Sequence, residues 1–160
     1  MAERMISLEE FENLSEKLFE KIPKDSFDVI LAIGRGGLVL GRYASDYFEK
    51  DMAVLMARRY KVGERKSDDV EVLFGEISHI GQLSGRILVV DDLLEDGITM
   101  KHVLNKLKGL KITDIKTAVL FVKPQSKITP NYFIEKTSDW IVFPYEKNED
   151  FPCWTKESPF

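Results

Sequence analysis

Two hydrophobic periods alternate along this chain. Over residues 7–22 the apolar positions Leu8, Phe11, Leu14, Leu18 and Ile22 recur at three- and four-residue steps, which predicts an amphipathic helix. Ser7 followed three residues on by Glu10 is a capping-box pattern at its start, and Pro23 stops it. After it come short apolar, β-branched runs at 27–33, 52–57, 86–90 and 114–122. Their lack of polar alternation predicts strands buried on both faces, as in a parallel sheet. Helical patterns at 38–48 and 98–108 fill two of the intervals; the second turns Val103, Leu104 and Leu107 inward and ends at Gly109. A returning strand is expected at 70–77, and a further apolar segment at 132–143. Strands alternating with helices predict an α/β fold.

Size and composition leave this picture in place and narrow the classes of function. The chain has 160 residues, enough for one domain with a substantial core. Hydrophobic residues make up 44% and charged residues 31%, an ordinary globular balance. A net charge of -4, with no long block of like charges, argues against dedicated nucleic-acid binding. Cys153 is the only cysteine, so no intramolecular disulfide can form, which fits a reducing compartment. No apolar run approaches the length of a membrane span, and the first residues lack the apolar core of a signal peptide. A cytoplasmic enzyme or binding protein is expected.

The chemistry gathers where strands should end. The run at 86–90 leads into two adjacent carboxylates, Asp91 and Asp92, placed by the pattern just past the strand. A tight loop with Gly97 inside it follows, and then a helix opens near Thr99. Ligands of open α/β sheets bind at the carboxyl ends of strands, and a helix N-terminus there offers unpaired N–H groups to an anion. The stretch therefore sets an acidic pair, suited to hydroxyls or Mg²⁺, beside an anion cradle. The strand at 27–33 repeats the arrangement, running into Gly34, Arg35, Gly36 and Gly37 before a helix. Glycines permit close backbone approach to an anion, and Arg35 adds a fork of donors. After the strand at 52–57, residues 58–69 are charged and aperiodic, as in a loop, and include Arg58, Arg65 and Lys66. Lys123 closes the strand at 114–122, where its ammonium can reach a ligand crevice, and Trp140 and Ile141 stand in the last apolar segment.

The order strand, acidic pair and Gly/Thr loop, standing here as VVDDLLEDGIT, resembles the signature of the type I phosphoribosyltransferases. IGRGGLVLGRYAS, FVKP and the segment beginning WI resemble the corresponding parts of bacterial xanthine-guanine and hypoxanthine-guanine enzymes. The resemblance implies one domain over residues 1–160: an open, mainly parallel sheet with helices on both faces, a flexible loop at about 58–80 and a small C-terminal hood at about 124–160. The implied reaction transfers a 5-phosphoribosyl group from phosphoribosyl pyrophosphate to a 6-oxopurine, with Mg²⁺ as cofactor. Arg35 and Gly36 would meet the pyrophosphate, with a cis peptide at Gly34–Arg35, and Arg58 and Arg65 would close on the phosphates. Asp91 and Asp92 would hold the ribose hydroxyls and the metal. The amides of Asp96, Gly97, Ile98 and Thr99, with the Thr99 hydroxyl, would hold the 5′-phosphate. Lys123 would donate to the exocyclic oxygen of the base, Trp140 would stack on it and Ile141 would read its edge. A homodimer or homotetramer is the implied assembly.

Two positions depart from the family pattern. Glu95 replaces the usual Asp nearest the purine, which keeps a carboxylate for proton transfer but lengthens it by one methylene. Asp96 replaces the usual Thr or Ser, putting a negative charge beside a phosphate pocket. A nucleotide-sensing regulator with little or no catalysis, and an enzyme for another base, remain alternatives on the same fold.

Overall fold

The computed structural model describes residues 2–58, 71–73 and 83–146, with residues 58 and 71–73 described by their backbone alone. The expected first helix forms as α1 (Leu8–Glu20). The Ser7 hydroxyl accepts from the Glu10 amide at 3.1 Å. The reciprocal half of the capping box is replaced: the Glu10 carboxylate pairs with Arg4 instead. Four of the five stripe residues turn inward, whereas Leu8 stays 55% exposed in the first turn.

The strands are β2 (Val29–Gly34), β3 (Met52–Arg58), β4 (Glu71–Leu73), β5 (Ser84–Leu94), β6 (Lys111–Val122) and β7 (Tyr132–Lys136). They form one sheet in the order β4-β3-β2-β5-β6-β7, parallel except for β4, which runs antiparallel to β3. Helix α2 (Gly37–Phe48) follows β2, and α3 (Ile98–Leu107) follows β5. A second small sheet pairs β1 (Glu3–Met5) with β8 (Trp140–Val142). The segment at 132–143 is thus two strands in two sheets, and β1 is an element that the polar, aperiodic first residues did not predict.

Strand periodicity splits the core. Ile30, Ala32, Leu88 and Val90 face α1 and α2, together with Phe11, Leu18, Leu40 and Phe143. Leu31, Ile33, Ile87 and Val89 face the other way, onto Met100, Val103 and Leu107 of α3. Both layers exclude water, and each fully buried Leu or Phe contributes about 1.5–3 kcal/mol. The expected helices on both faces are present. Helix α3 closes on Lys108 with right-handed backbone, rather than on a left-handed Gly109.

The topology locates the crevice. From β2 the chain crosses to β3 on one side, and from β5 it crosses to β6 on the other. The central pair β2 and β5 is therefore the switch point at which the crossovers diverge, leaving a gap beyond their carboxyl ends.

Candidate functional site

The turns after β2 and β5 meet at this switch point. They line a cleft of about 520 Å³ with Gly34, Arg35, Gly36, Asp91, Asp92, Glu95, Asp96, Gly97 and Thr99, and with Met56 and Ala57 from β3.

One expectation of local structure changes here. The acidic pair does not follow the strand but lies inside it: β5 continues to Leu94, with Asp91 opposite Val119 and Leu93 opposite Phe121. The reason is pairing. β6 runs alongside to Val122 and supplies ladder partners beyond the apolar core, so the acidic residues are carried in an extended backbone.

The carboxylates pack on the first glycine turn. A Cβ added at Gly36 would stand 2.5 and 2.6 Å from the two Asp92 carboxylate oxygens, so only glycine fits at this distance. The Asp91 carboxylate accepts from the amides of Asp92, at 3.0 Å, and Gly37. Asp92 receives the Tyr145 hydroxyl at 2.8 Å and the Leu93 amide. Burial pushes Asp91 well above the usual carboxylate range, and the neighbouring charge of Asp92 adds to it. Burial likewise raises Asp92 to about 6, against the pull of the Tyr145 hydroxyl and the Leu93 amide. The peptide bond between Gly34 and Arg35 is cis, where the family resemblance puts it, and Arg35 itself is exposed at the cleft edge.

The second turn is tighter. Gly97 has φ of 81°, a left-handed conformation that favours glycine, and it starts α3. The Asp96 Oδ1 accepts from the Ile98 amide at 3.0 Å, so one of the helix's N-terminal donors already holds an anion. The segment after β6 leans on this turn: the Lys123 amide donates to the Leu94 carbonyl at 2.9 Å and the Lys127 amide to the Asp96 carbonyl at 3.1 Å.

The remaining sequence candidates divide. Lys123 sits beside the cleft by its backbone, but its side chain is buried and its ammonium donates to the Asp139 carbonyl. It does not line the cavity, nor do Trp140 and Ile141. Trp140 is 56% exposed on β8, and Ile141 is buried against the α1–α2 face of the sheet. Arg58 ends β3, with its side chain outside the described residues, and Arg65 lies outside them altogether. Among the described residues, no three His, Cys, Asp or Glu side chains converge as a metal cage. Tyr145 is the polar neighbour of the pair that sequence reasoning missed. Its aromatic ring, just past the apolar segment at 132–143, gave no sign of a hydroxyl turned toward β5.

Comparison with known proteins bears on the family and the fold. A xanthine-guanine phosphoribosyltransferase of Idiomarina loihiensis is 26% identical over 147 residues, covering 90% of this chain and 87% of the relative. A transcriptional regulator, GfcR, of Methanococcus maripaludis is 24% identical over 98 residues, covering 61% of this chain and 46% of the regulator. The crystal structure of a purine phosphoribosyltransferase from Pyrococcus horikoshii superposes with a TM-score of 0.79 at 29% identity, covering 92% of this chain and 97% of that one. The family model described as "Phosphoribosyl transferase domain" matches residues 3–150. The fold is that of the type I phosphoribosyltransferases, and the chain belongs to the phosphoribosyl transferase domain family.

Proposed function

We propose that the protein is a purine salvage phosphoribosyltransferase acting on phosphoribosyl pyrophosphate and a 6-oxopurine: xanthine, guanine or hypoxanthine. The observation that carries this reading is the meeting of both glycine-bearing turns and both carboxylates in one cleft at the switch point. In the reaction, a purine ring nitrogen forms a bond to the anomeric carbon as the bond from that carbon to the pyrophosphate oxygen breaks. The products are a nucleoside monophosphate and pyrophosphate.

Position supports the following roles. The backbone around Gly36, with Arg35, faces the leaving diphosphate, and Asp91 and Asp92 orient the ribose hydroxyls. The amides from Asp96 to Thr99 and the Thr99 hydroxyl take the 5′-phosphate. Glu95 accepts the proton of the incoming purine. Two crowded carboxylates whose burial penalises their charge suit a divalent cation, and Mg²⁺ commonly takes one or two protein carboxylates with substrate oxygens completing its shell. The residues fit Mg²⁺, with Asp92 and Asp91 as the ligands; when bound, the ion offsets charge on the departing diphosphate.

Lys123 supplies the donor that prefers an exocyclic oxygen to an amino group, exchanging the Asp139 carbonyl for the base. For Trp140 stacking on the base and Ile141 reading its edge the support is the family resemblance, since neither lines the cleft. For Arg58 and Arg65 the support is the family resemblance, which equally supports a cytoplasmic homodimer or homotetramer.

The test is turnover with guanine, hypoxanthine, xanthine and adenine, each with phosphoribosyl pyrophosphate and Mg²⁺. Activity with the oxopurines and little with adenine is expected, and Lys123→Ala should narrow that preference. Activity with adenine alone would overturn the base assignment. A second reading, a nucleotide-sensing regulator, draws on Asp96, whose carboxylate occupies an amide that a phosphate would use. Tight nucleotide binding without pyrophosphate release would favour it.

A further inference from the structure

The cleft holds one polar contact that none of these roles uses. Tyr145 follows β8, and its hydroxyl donates to Asp92 Oδ2 at 2.8 Å. Its ring stacks on Phe143, with centroids 5.3 Å apart and planes 6° apart, and meets Phe11 edge-on at 5.5 Å. Phe143 and Phe11 are both core residues. One residue further on, the Glu146 carboxylate accepts from the Phe143 amide at 2.8 Å and closes the turn that carries the ring. The hydroxyl is thus placed by the packing of the core rather than by a free side chain searching for a partner. On its other side the Asp92 carboxylate abuts Gly36.

We propose that Tyr145 is a positioning residue for the phosphoribosyl site, an inference that rests on the function proposed above. By donating to Oδ2 it fixes the plane of the Asp92 carboxylate against Gly36, and with it the direction from which the carboxylate meets the ribose hydroxyl or the cation. It also ties the segment bearing Trp140 to the sugar end of the cleft, joining the two halves of the substrate through one hydrogen bond. The arrangement uses a tyrosine rather than a phenylalanine because a swinging carboxylate would lose ligand geometry with no loss of packing.

Tyr145→Phe keeps the ring and removes only the donor. Calorimetric titration of phosphoribosyl pyrophosphate, with and without Mg²⁺ and with no purine present, reads the Asp92 site whether or not the chain transfers. The Mg²⁺-dependent affinity should fall by about tenfold, because the carboxylate is no longer held in one orientation, and the ligand-free melting temperature should fall as well, because Asp92 loses a donor it already has in the ligand-free fold; the affinity, not the melting temperature, decides the proposal. In turnover, KM for phosphoribosyl pyrophosphate should rise with KM for the purine unchanged. An unchanged affinity would overturn the proposal. So would a tighter one, which would make the hydroxyl a competitor for Asp92. A wild type that binds with Mg²⁺ but releases no pyrophosphate would sink the transferase reading and leave Tyr145 to be judged by the titration. A wild type without Mg²⁺-dependent binding would sink both.

Discussion

Near the start of β5, Arg86 forks onto Asp28: its Nη2 lies 2.7 Å from Asp28 Oδ1, and its Nε and backbone amide both reach Oδ2. Near the far end of the same strand, Asp91 and Asp92 stand side by side with no cationic side chain among the described residues on either. Arg86 holds Asp28 down at about 2, whereas burial lifts Asp92 to about 6 and Asp91 well above the usual range. The residue type is one; the surroundings differ. At one end charges are matched and stay near water, so the pair joins β5 to the entry of β2 at little cost. At the other end like charges are enclosed, an arrangement that penalises the ligand-free fold and is relieved by whatever neutralises them. The contrast separates a structural end of the sheet from the end at which we place the substrate.

The severest test of that contrast is Glu95→Gln. It should lower kcat by about 10²–10⁴-fold, the usual contribution of a positioned acid or base, with a smaller effect on nucleotide affinity. An unchanged rate removes Glu95 from the mechanism.

Asp92→Asn probes the same end by stability. An aspartate whose folded pKa is raised keeps its proton longer in the folded state, so stability falls as pH rises from about 4 through about 6, and the full penalty stands above that window. The neutral variant escapes it. Its ligand-free melting temperature at pH 7.5 should exceed that of the wild type by roughly 4–8 °C, while activity is lost and the difference closes near pH 4. A variant less stable than the wild type at pH 7.5 would break the comparison.

A subtler change, Gly36→Ala, sets a methyl within 2.5 Å of Asp92 Oδ2 and must displace it. KM for phosphoribosyl pyrophosphate should rise about tenfold; unchanged kinetics would show that the contact is dispensable.

The smallest effect belongs to the matched end. Asp28 has a lowered pKa, so its contribution is present above about 4 and is lost as pH falls through about 2. Arg86→Ala should lower the melting temperature at neutral pH by no more than about 4 °C and leave kcat untouched. A loss of activity there would mean that the two ends are coupled.

Much of this molecule was legible before any coordinates. Period-3.6 patterning marked α1, α2 and α3, and unbroken apolar runs marked the buried strands, because a helix or strand must turn its apolar positions to a neighbour whatever that neighbour is. The glycine turn, the acidic pair and the loop at Gly97 were equally visible, since each depends on residue type within a few positions. What stayed hidden required a partner distant in sequence. The extension of β5 through Asp91 and Asp92 depends on ladder bonds from β6. The three-residue β1 exists only because β8 pairs with it. The ammonium of Lys123 goes to the Asp139 carbonyl, and the hydroxyl of Tyr145 to Asp92, by packing alone. Local chemistry settled which groups the chain could offer; only the folded sheet, which brings β2 and β5 together where the crossovers part, decided which of them share a cleft.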